Sequence, residues 1–421
     1  MRITDLEVHE ICPPYCDFNA LQLSRYHGAR LQRRTIYILR TDDGLEGLGE
    51  SVGPAPDAAP LREQYIDTSP FDWINGENRL ALDMACYDLM GKKLGVPAWK
   101  LIGPQVRQWI PVAAWTVAQE PAAMAEEVRQ ASTRGYHWIK YHVDEMQDVI
   151  AQTAAMQEAA PPHFRVHYDF NANSNYYTMR PILDELCKFS VAGRFEDVVQ
   201  GTDEDAYRML REQCPLPIIG HHVPPEAMTR RYIDGLMAGH APIGQAVKTA
   251  GTAERMNMPI MYQQTGGAIN QAFLAHEVAV FKMATIDHVN GCHLWSEDVV
   301  KEDMPVVDGS VAVPQGPGLG IELDRDRLEK WAAADPVDKG RFLVRIRSAG
   351  GPVAYLRHNP EPLGSTDNLR FHERLHRNGI PGRPASYANP LTSEFWDAEK
   401  DPENFADLWA RTADGPIWKE E

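Results

Sequence analysis

Four polar residues recur at nearly constant spacing through the middle of this chain, and that interval constrains its architecture more than any other feature. Lys140, Asp169, Glu196 and His222 lie 29, 27 and 26 residues apart, toward the carboxyl ends of the short apolar segments WIKYHV, FRVHYDF, AGRFEDV and LPIIGHH. MPIMYQQ (258–264) continues the series, and amphipathic stretches such as PAAMAEEVRQASTRG and EDAYRMLREQ fall between the segments. Alternating strands and helices specify a parallel sheet, and this many units close more economically as a barrel than as an open sheet. The carboxyl-terminal rim of such a barrel holds the active site, so the spacing brings four polar groups to one rim.

Outside that rhythm the chain reads differently. ITDLEVHEI, TIYILRT and LEGLGES, with a turn at Asp42-Asp43-Gly44, predict a small antiparallel sheet. The segment between the first two strands, CPPYCDFNALQLSRYHGARLQRR, reads as a long functional loop. Residues 80–95 place Leu82, Ala85, Cys86, Leu89 and Met90 on one stripe and stop at Gly95, which predicts a helix. Three parts follow: an α+β capping domain over 1–111, a barrel over 112–324, and a C-terminal segment over 325–421 packed on cap and barrel. The last part has a weak pattern, but Trp331, Tyr355, Phe371, Trp396 and Trp409 imply that it is ordered. PQGPGLG lacks the Lys-Ser/Thr ending and the following helix of a phosphate loop.

Charge narrows the function classes. A net charge of −17 supplies few cations for phosphates, so nucleic acid is not an expected partner. No run of 18 apolar residues appears, and the N-terminus lacks the apolar stretch of a signal peptide. A cytoplasmic protein with no membrane partner is expected. The six scattered cysteines form no CxxC pair and read as reduced thiols.

Asp169 and Glu196 end successive strands, and a divalent cation is the simplest reason to converge like charges there. Oxygen ligands suit Mg2+ or Mn2+. His222 is a third ligand candidate one strand on, or an acid; His221 beside it points to the opposite face, so only one of the two aims inward. Lys140 and His142, two apart on a strand, share the interior face, where burial makes a lysine usable as a base. Gln263 and Gln264 end a later strand and offer amides to substrate. His240, His293 and Glu297 lie near other strand ends, and Tyr26 and His27 are positioned to cover the barrel mouth.

Taken together these residues resemble the enolase superfamily, in its mandelate racemase and muconate lactonizing enzyme branch. The resemblance is carried by LRTDDGLEGLGES (39–51), ALDMACYDLMGKKLGVPAWKLIGP (81–104), Lys140-x-His142, Asp169-x-Asn171, Phe195-Glu196-Asp197 and VPQGPGLGIELD (313–324). It implies a modified (β/α)7β TIM-type barrel beneath an N-terminal α+β cap, an essential Mg2+, and removal of the proton α to a carboxylate to give a metal-stabilised enediolate. Asp169 and Glu196 match the first two metal ligands. Lys140 matches the first Lys of the family's Lys-x-Lys motif, and His142 stands where the second, usually the base, would be. Asn171, Gln263, Gln264 and His293 join Tyr26 and His27 as candidate substrate contacts. The third ligand falls at His222, the sixth strand offers Gly239 beside His240, and the seventh offers Tyr262-Gln263-Gln264.

Racemisation needs a base on each face of the enediolate, and the face opposite Lys140 and His142 lacks the expected one. Elimination of water needs one base and one acid. The expected function is therefore a metal-dependent hydro-lyase acting on a sugar acid, with His222 or His142 assisting the departing hydroxyl. Racemisation, epimerisation or cycloisomerisation with His240 as second base is the alternative, and a non-catalytic ligand-binding protein is another. Family members commonly form symmetric assemblies, so a homo-oligomer is expected.

Overall fold

A computed structural model of the protein describes residues 1–144, 146–338, 340–348, 353–357 and 386–419, the side chains of residues 27 and 29 excepted. Strands β1 (Ile3–Ile11), β2 (Arg34–Thr41) and β3 (Glu46–Val52) form an antiparallel sheet in that order. Gly44 takes φ +81° in the β2–β3 turn, a conformation that favours glycine. The sheet lies on the buried helix Leu80–Leu94. Contact is so close that a β-carbon on Gly49 would collide with the carbonyl of Ala81. The helix ends where Gly95 turns left-handed.

Two acids of this helix tie the cap to the rest of the chain. Asp88 accepts from the amides of Leu48 (3.0 Å) and Leu319 (2.8 Å), and Asp83 accepts from that of Ile243 (2.9 Å). The Gly-rich stretch before Leu319 therefore packs against a helix as a structural crossing.

Eight parallel strands form the barrel: β4 (Trp109–Val117), β5 (Trp138–His142), β6 (Arg165–Asp169), β7 (Ala192–Glu196), β8 (Ile218–Gly220), β9 (Gly235–Gly239), β10 (Ile260–Gln263) and β11 (His288–Val289). They pair in sequence, and β11 closes on β4 through His288 opposite Val112 and Val289 opposite Ala113. A helix follows each strand from β4 to β10, which is the (β/α)7β order. Antiparallel β12 (Ser310–Ala312) flanks β4. Because β4 starts at Trp109, the barrel begins slightly before residue 112.

Strand alternation sorts the side chains. Ile139, Tyr141, Val166, Tyr168 and Phe195 face the surrounding helices in the main core, whereas Lys140, His142, His167, Asp169, Arg194 and Glu196 take the opposite parity, toward the axis. A separate apolar cluster within the barrel joins Ala113, Trp115, Ile219, Met237 and Met261 to Tyr15, Leu23, Tyr26 and Trp295. The segment read as a loop thus contains a helix, Ala20–His27, that seals the mouth through Leu23 and Tyr26 at i, i+3 spacing.

The C-terminal part is an antiparallel sheet of β13 (Leu343–Ser348), β14 (Val353–Arg357), β15 (Leu391–Trp396) and β16 (Ile417–Lys419), in the order β15-β13-β14-β16. Phe371 lies outside the described residues. Among the described residues no helix is long and apolar enough to cross a membrane.

Candidate active site

Adjacent strands β5, β6 and β7 deliver the central groups. Lys140 Nζ, fully buried, lies 2.9 Å from Glu196 Oε1, 3.0 Å from Asp169 Oδ2 and 2.7 Å from Gln263 Oε1. Burial alone would lower the lysine's pKa, but the two carboxylates outweigh it and raise it. Its ammonium is thus held by three acceptors at once. Burial also opposes ionisation of Asp169, yet Lys140, His142 and the Asn171 amide hold it at about 2. Glu196 goes the other way, pushed up by burial and by the neighbouring Asp169.

His142 extends one turn of the pleat above Lys140. Its Nε2 is 3.4 Å from Asp169 Oδ2, and its ring stands edge-on to Trp115 with centroids 5.2 Å apart. Asn171, at φ +52°, donates its amide to Asp169 Oδ1 (2.9 Å) and its side chain to Asp169 O (3.2 Å), which fixes the carboxylate. Asn171 thus serves Asp169 directly.

The two adjacent histidines separate as strand β8 ends. His222 turns to the surface, with Nδ1 2.6 Å from Asp197 Oδ2. His221 faces inward, with Nδ1 3.6 Å from Glu196 Oε1. Of the two histidines it is His221 that approaches Glu196, while His222, the sequence's candidate, keeps to Asp197. Asp197, at φ +48°, accepts the backbone amides of both histidines and so fixes their divergence. Burial, aided by His222 and Lys140, lowers the pKa of His221 to about 3, so it is neutral and its lone pair is available. The hydrogen bond to Asp197 raises that of His222.

Other candidates disperse. Gln264 points outward and donates to Glu277 of the helix Ala268–Val280, because it alternates with the inward Gln263. His293 spans the seam between β11 and β4, its Nε2 3.2 and 3.0 Å from the Trp115 nitrogen and oxygen, and burial lowers its pKa to about 4. Glu297 is a surface partner of Lys330. His240 is exposed at φ +46°, donating its amide to Gln263 O (2.8 Å). Tyr26 donates to Asp144 Oδ2 (2.9 Å) over the mouth. The side chain of His27 lies outside the described residues.

Sequence reasoning passed over His167, and took Arg194 only as a possible partner of the strand-end carboxylates. Arg194 Nε donates to His167 Nδ1 (3.0 Å), which leaves the His167 proton on Nε2, 2.8 Å from Glu196 Oε2. Their parity with Asp169 and Glu196 was the available signal.

The acids suit a cation. Asp169, Glu196 and Asp197 offer oxygens within 4.8 Å of one another, and Asp197 does so with His221 and His222. Two buried carboxylates, Asp169 and Glu196, share a single ammonium, and the cost of ionising both raises the pKa of Glu196. Glu196 Oε2 is buried with His167 Nε2 at 2.8 Å and Lys140 Nζ at 2.9 Å, neither aligned as a hydrogen bond.

Comparison with known proteins adds to this geometry. Residues 123–327 match the family model described as Enolase C-terminal domain-like. D-galactonate dehydratase of Xanthomonas oryzae pv. oryzae (strain PXO99A) is 25% identical over 370 residues, 75% of this chain and 95% of that protein. D-galactarolactone cycloisomerase of Agrobacterium fabrum (strain C58 / ATCC 33970) is 26% identical over 357 residues, 73% and 94% of the two. The crystal structure of muconate cycloisomerase from Pseudomonas fluorescens superposes with a TM-score of 0.63 at 20% identity, covering 78% of this chain and 98% of that one.

Proposed function

We propose that this chain, whose residues 123–327 match the Enolase C-terminal domain-like model, is an enolase-superfamily dehydratase of a sugar acid in the mandelate racemase and muconate lactonizing enzyme branch, initiated by abstraction of the proton α to the carboxylate. The observation that carries this reading is the one-sided set of Lys140 and His142 beside the buried pair Asp169 and Glu196. Similarity to a D-galactonate dehydratase supports the same class of substrate.

Asp169 and Glu196, with His221 as third donor, would hold Mg2+, or Mn2+ because of the imidazole. When bound, such an ion supplies Lewis-acid polarisation of the substrate carboxylate and acidifies its α-proton. Lys140, held by Gln263, fixes the two carboxylates against each other at the strand ends. His142 reaches further toward the mouth and takes the α-proton. Elimination then expels the β-hydroxyl as water, with the proton returned by His142, which has just taken one from the α-carbon. The enol product tautomerises to a 2-keto-3-deoxy acid. Tyr26 and the helix carrying it exclude water from above.

The fully buried His167 stays neutral, since burial and the Arg194 charge push its pKa well below the usual range. It therefore places Glu196 without adding charge. The similarity to a cycloisomerase favours a second reading, in which His240 serves the opposite face. Incubating the protein and Mg2+ with a panel of aldonic and aldaric acids, followed by carbonyl derivatisation, distinguishes the two. A 2-keto-3-deoxy product supports dehydration. Isomerised acid or lactone without a new carbonyl rejects it.

A further inference from the structure

Tyr387 belongs to the C-terminal part yet enters the barrel's own core, alone among the described residues beyond 331. The other buried apolar residues of the sheet form separate clusters. Its ring stands edge-on to Phe170 with centroids 5.1 Å apart, and its hydroxyl is 3.4 Å from both Val143 O and Phe170 O. These carbonyls belong to the residues that follow His142 and Asp169. The amides of the same residues still serve the ladder, Val143 to Asp169 O and Phe170 to Glu196 O. Their oxygens mark where that ladder runs out: Phe170 O also takes the Asn173 amide at 3.3 Å, and the Tyr387 hydroxyl is the donor that the two carbonyls share.

The exchange runs both ways. Met146, from the loop after His142, packs into the C-terminal sheet with Phe342, Val344 and Leu391. Gln147 Nε2 donates to Ser393 O at 2.7 Å. Arg25 on the mouth-sealing helix pairs with Asp397 at 2.8 Å and lies over the rings of Phe342 and Phe395. One sheet thus grips the catalytic strand ends, the loop after His142 and the helix over the mouth. It lies beyond residue 327, where the family match ends.

We propose that this sheet is an integral wall of the active site and that Tyr387 is a positioning residue for the strand ends bearing His142 and Asp169. The inference rests on the reading of these two as base and ion ligand. Catalytic groups tolerate only small displacements, so a donor that ties both strand ends together acts on rate more than on substrate affinity.

Tyr387→Phe removes the hydroxyl and keeps the ring. Leu408→Ala, on the helix Phe405–Arg411 that packs on the face of the sheet opposite Met146 and the barrel, controls for loss of sheet stability. On the full chain, amide hydrogen exchange over 140–148 and 168–173, Mn2+ titration, and kcat and KM on an acid that the screen identifies are compared. Tyr387→Phe should speed exchange in both segments and lower kcat roughly tenfold with KM within about twofold, while Leu408→Ala leaves kcat and these segments unchanged. Unaltered exchange in Tyr387→Phe overturns the inference, as does an equal loss of kcat in both variants. If the wild-type protein turns over no acid, the functional reading falls, and hydrogen exchange with Mn2+ affinity decides the positioning claim alone: wild-type values in Tyr387→Phe reject it, and faster exchange with weaker Mn2+ binding upholds it.

Discussion

The imidazole of His221 lies across Gly239, where a β-carbon would come within 2.9 Å of Nε2. The missing side chain on the sixth barrel strand is thus room made for a histidine from the fifth. Gly239 is not in the left-handed region, so alanine is conformationally tolerated there and the effect of substitution falls on His221. Gly239→Ala should lower kcat by roughly 10- to 100-fold with little loss of Tm. Wild-type turnover would show that His221 does not need this position.

Lys140 holds two buried carboxylates at once. Lys140→Met should destabilise the metal-free protein by about 3–5 kcal/mol, because it leaves buried charge uncompensated, and a divalent ion should restore much of that. Thermal denaturation with and without Mg2+ checks this. Equal stability of variant and wild type without the ion would contradict the geometry.

For the base, His142→Ala should lower kcat by ~10²–10⁴ while ion stoichiometry is retained. Asp169→Asn and Glu196→Gln should instead lose the stoichiometric ion, read by elemental analysis after gel filtration. Full ion retention in both acid variants would remove them as ligands.

Asp83 predicts a pH dependence away from the site. Burial raises its pKa to about 7, against a smaller opposing effect of the Ile243 amide. A carboxyl with a raised folded pKa binds its proton more tightly folded than unfolded. Its stabilisation is complete below the unfolded value near 4 and is lost as pH rises toward 7, an effect on the order of a few kcal/mol. Asp83→Asn should flatten that part of the denaturation profile between about pH 4 and 7. An unchanged slope would place the dependence on other groups.

Lys140, Asp169 and Glu196 were legible because regular strands fix both spacing and parity. Legibility failed where regular structure ends. Beyond Gly220 the chain leaves strand geometry, and the choice between His221 and His222 is made by Asp197 at φ +48°, which no periodicity encodes. Gln264 was misplaced because one residue along a strand reverses the face, and His293 because it sits in a 3-10 turn at the barrel seam. His167 and Arg194 were within reach, two residues before the two acids on the same face. The C-terminal sheet was hidden because β15 pairs with β13 across a long intervening segment, so its register is tertiary.

The most direct test is proton NMR of the reaction in D2O with Mg2+ and the acid that the screen identifies. Removal of the α-proton followed by loss of water gives a 2-keto-3-deoxy product with one deuterium at C3, formed by the wild type and not by His142→Ala. Product without solvent deuterium, or unchanged substrate retaining its α-proton with every divalent ion, would contradict the account.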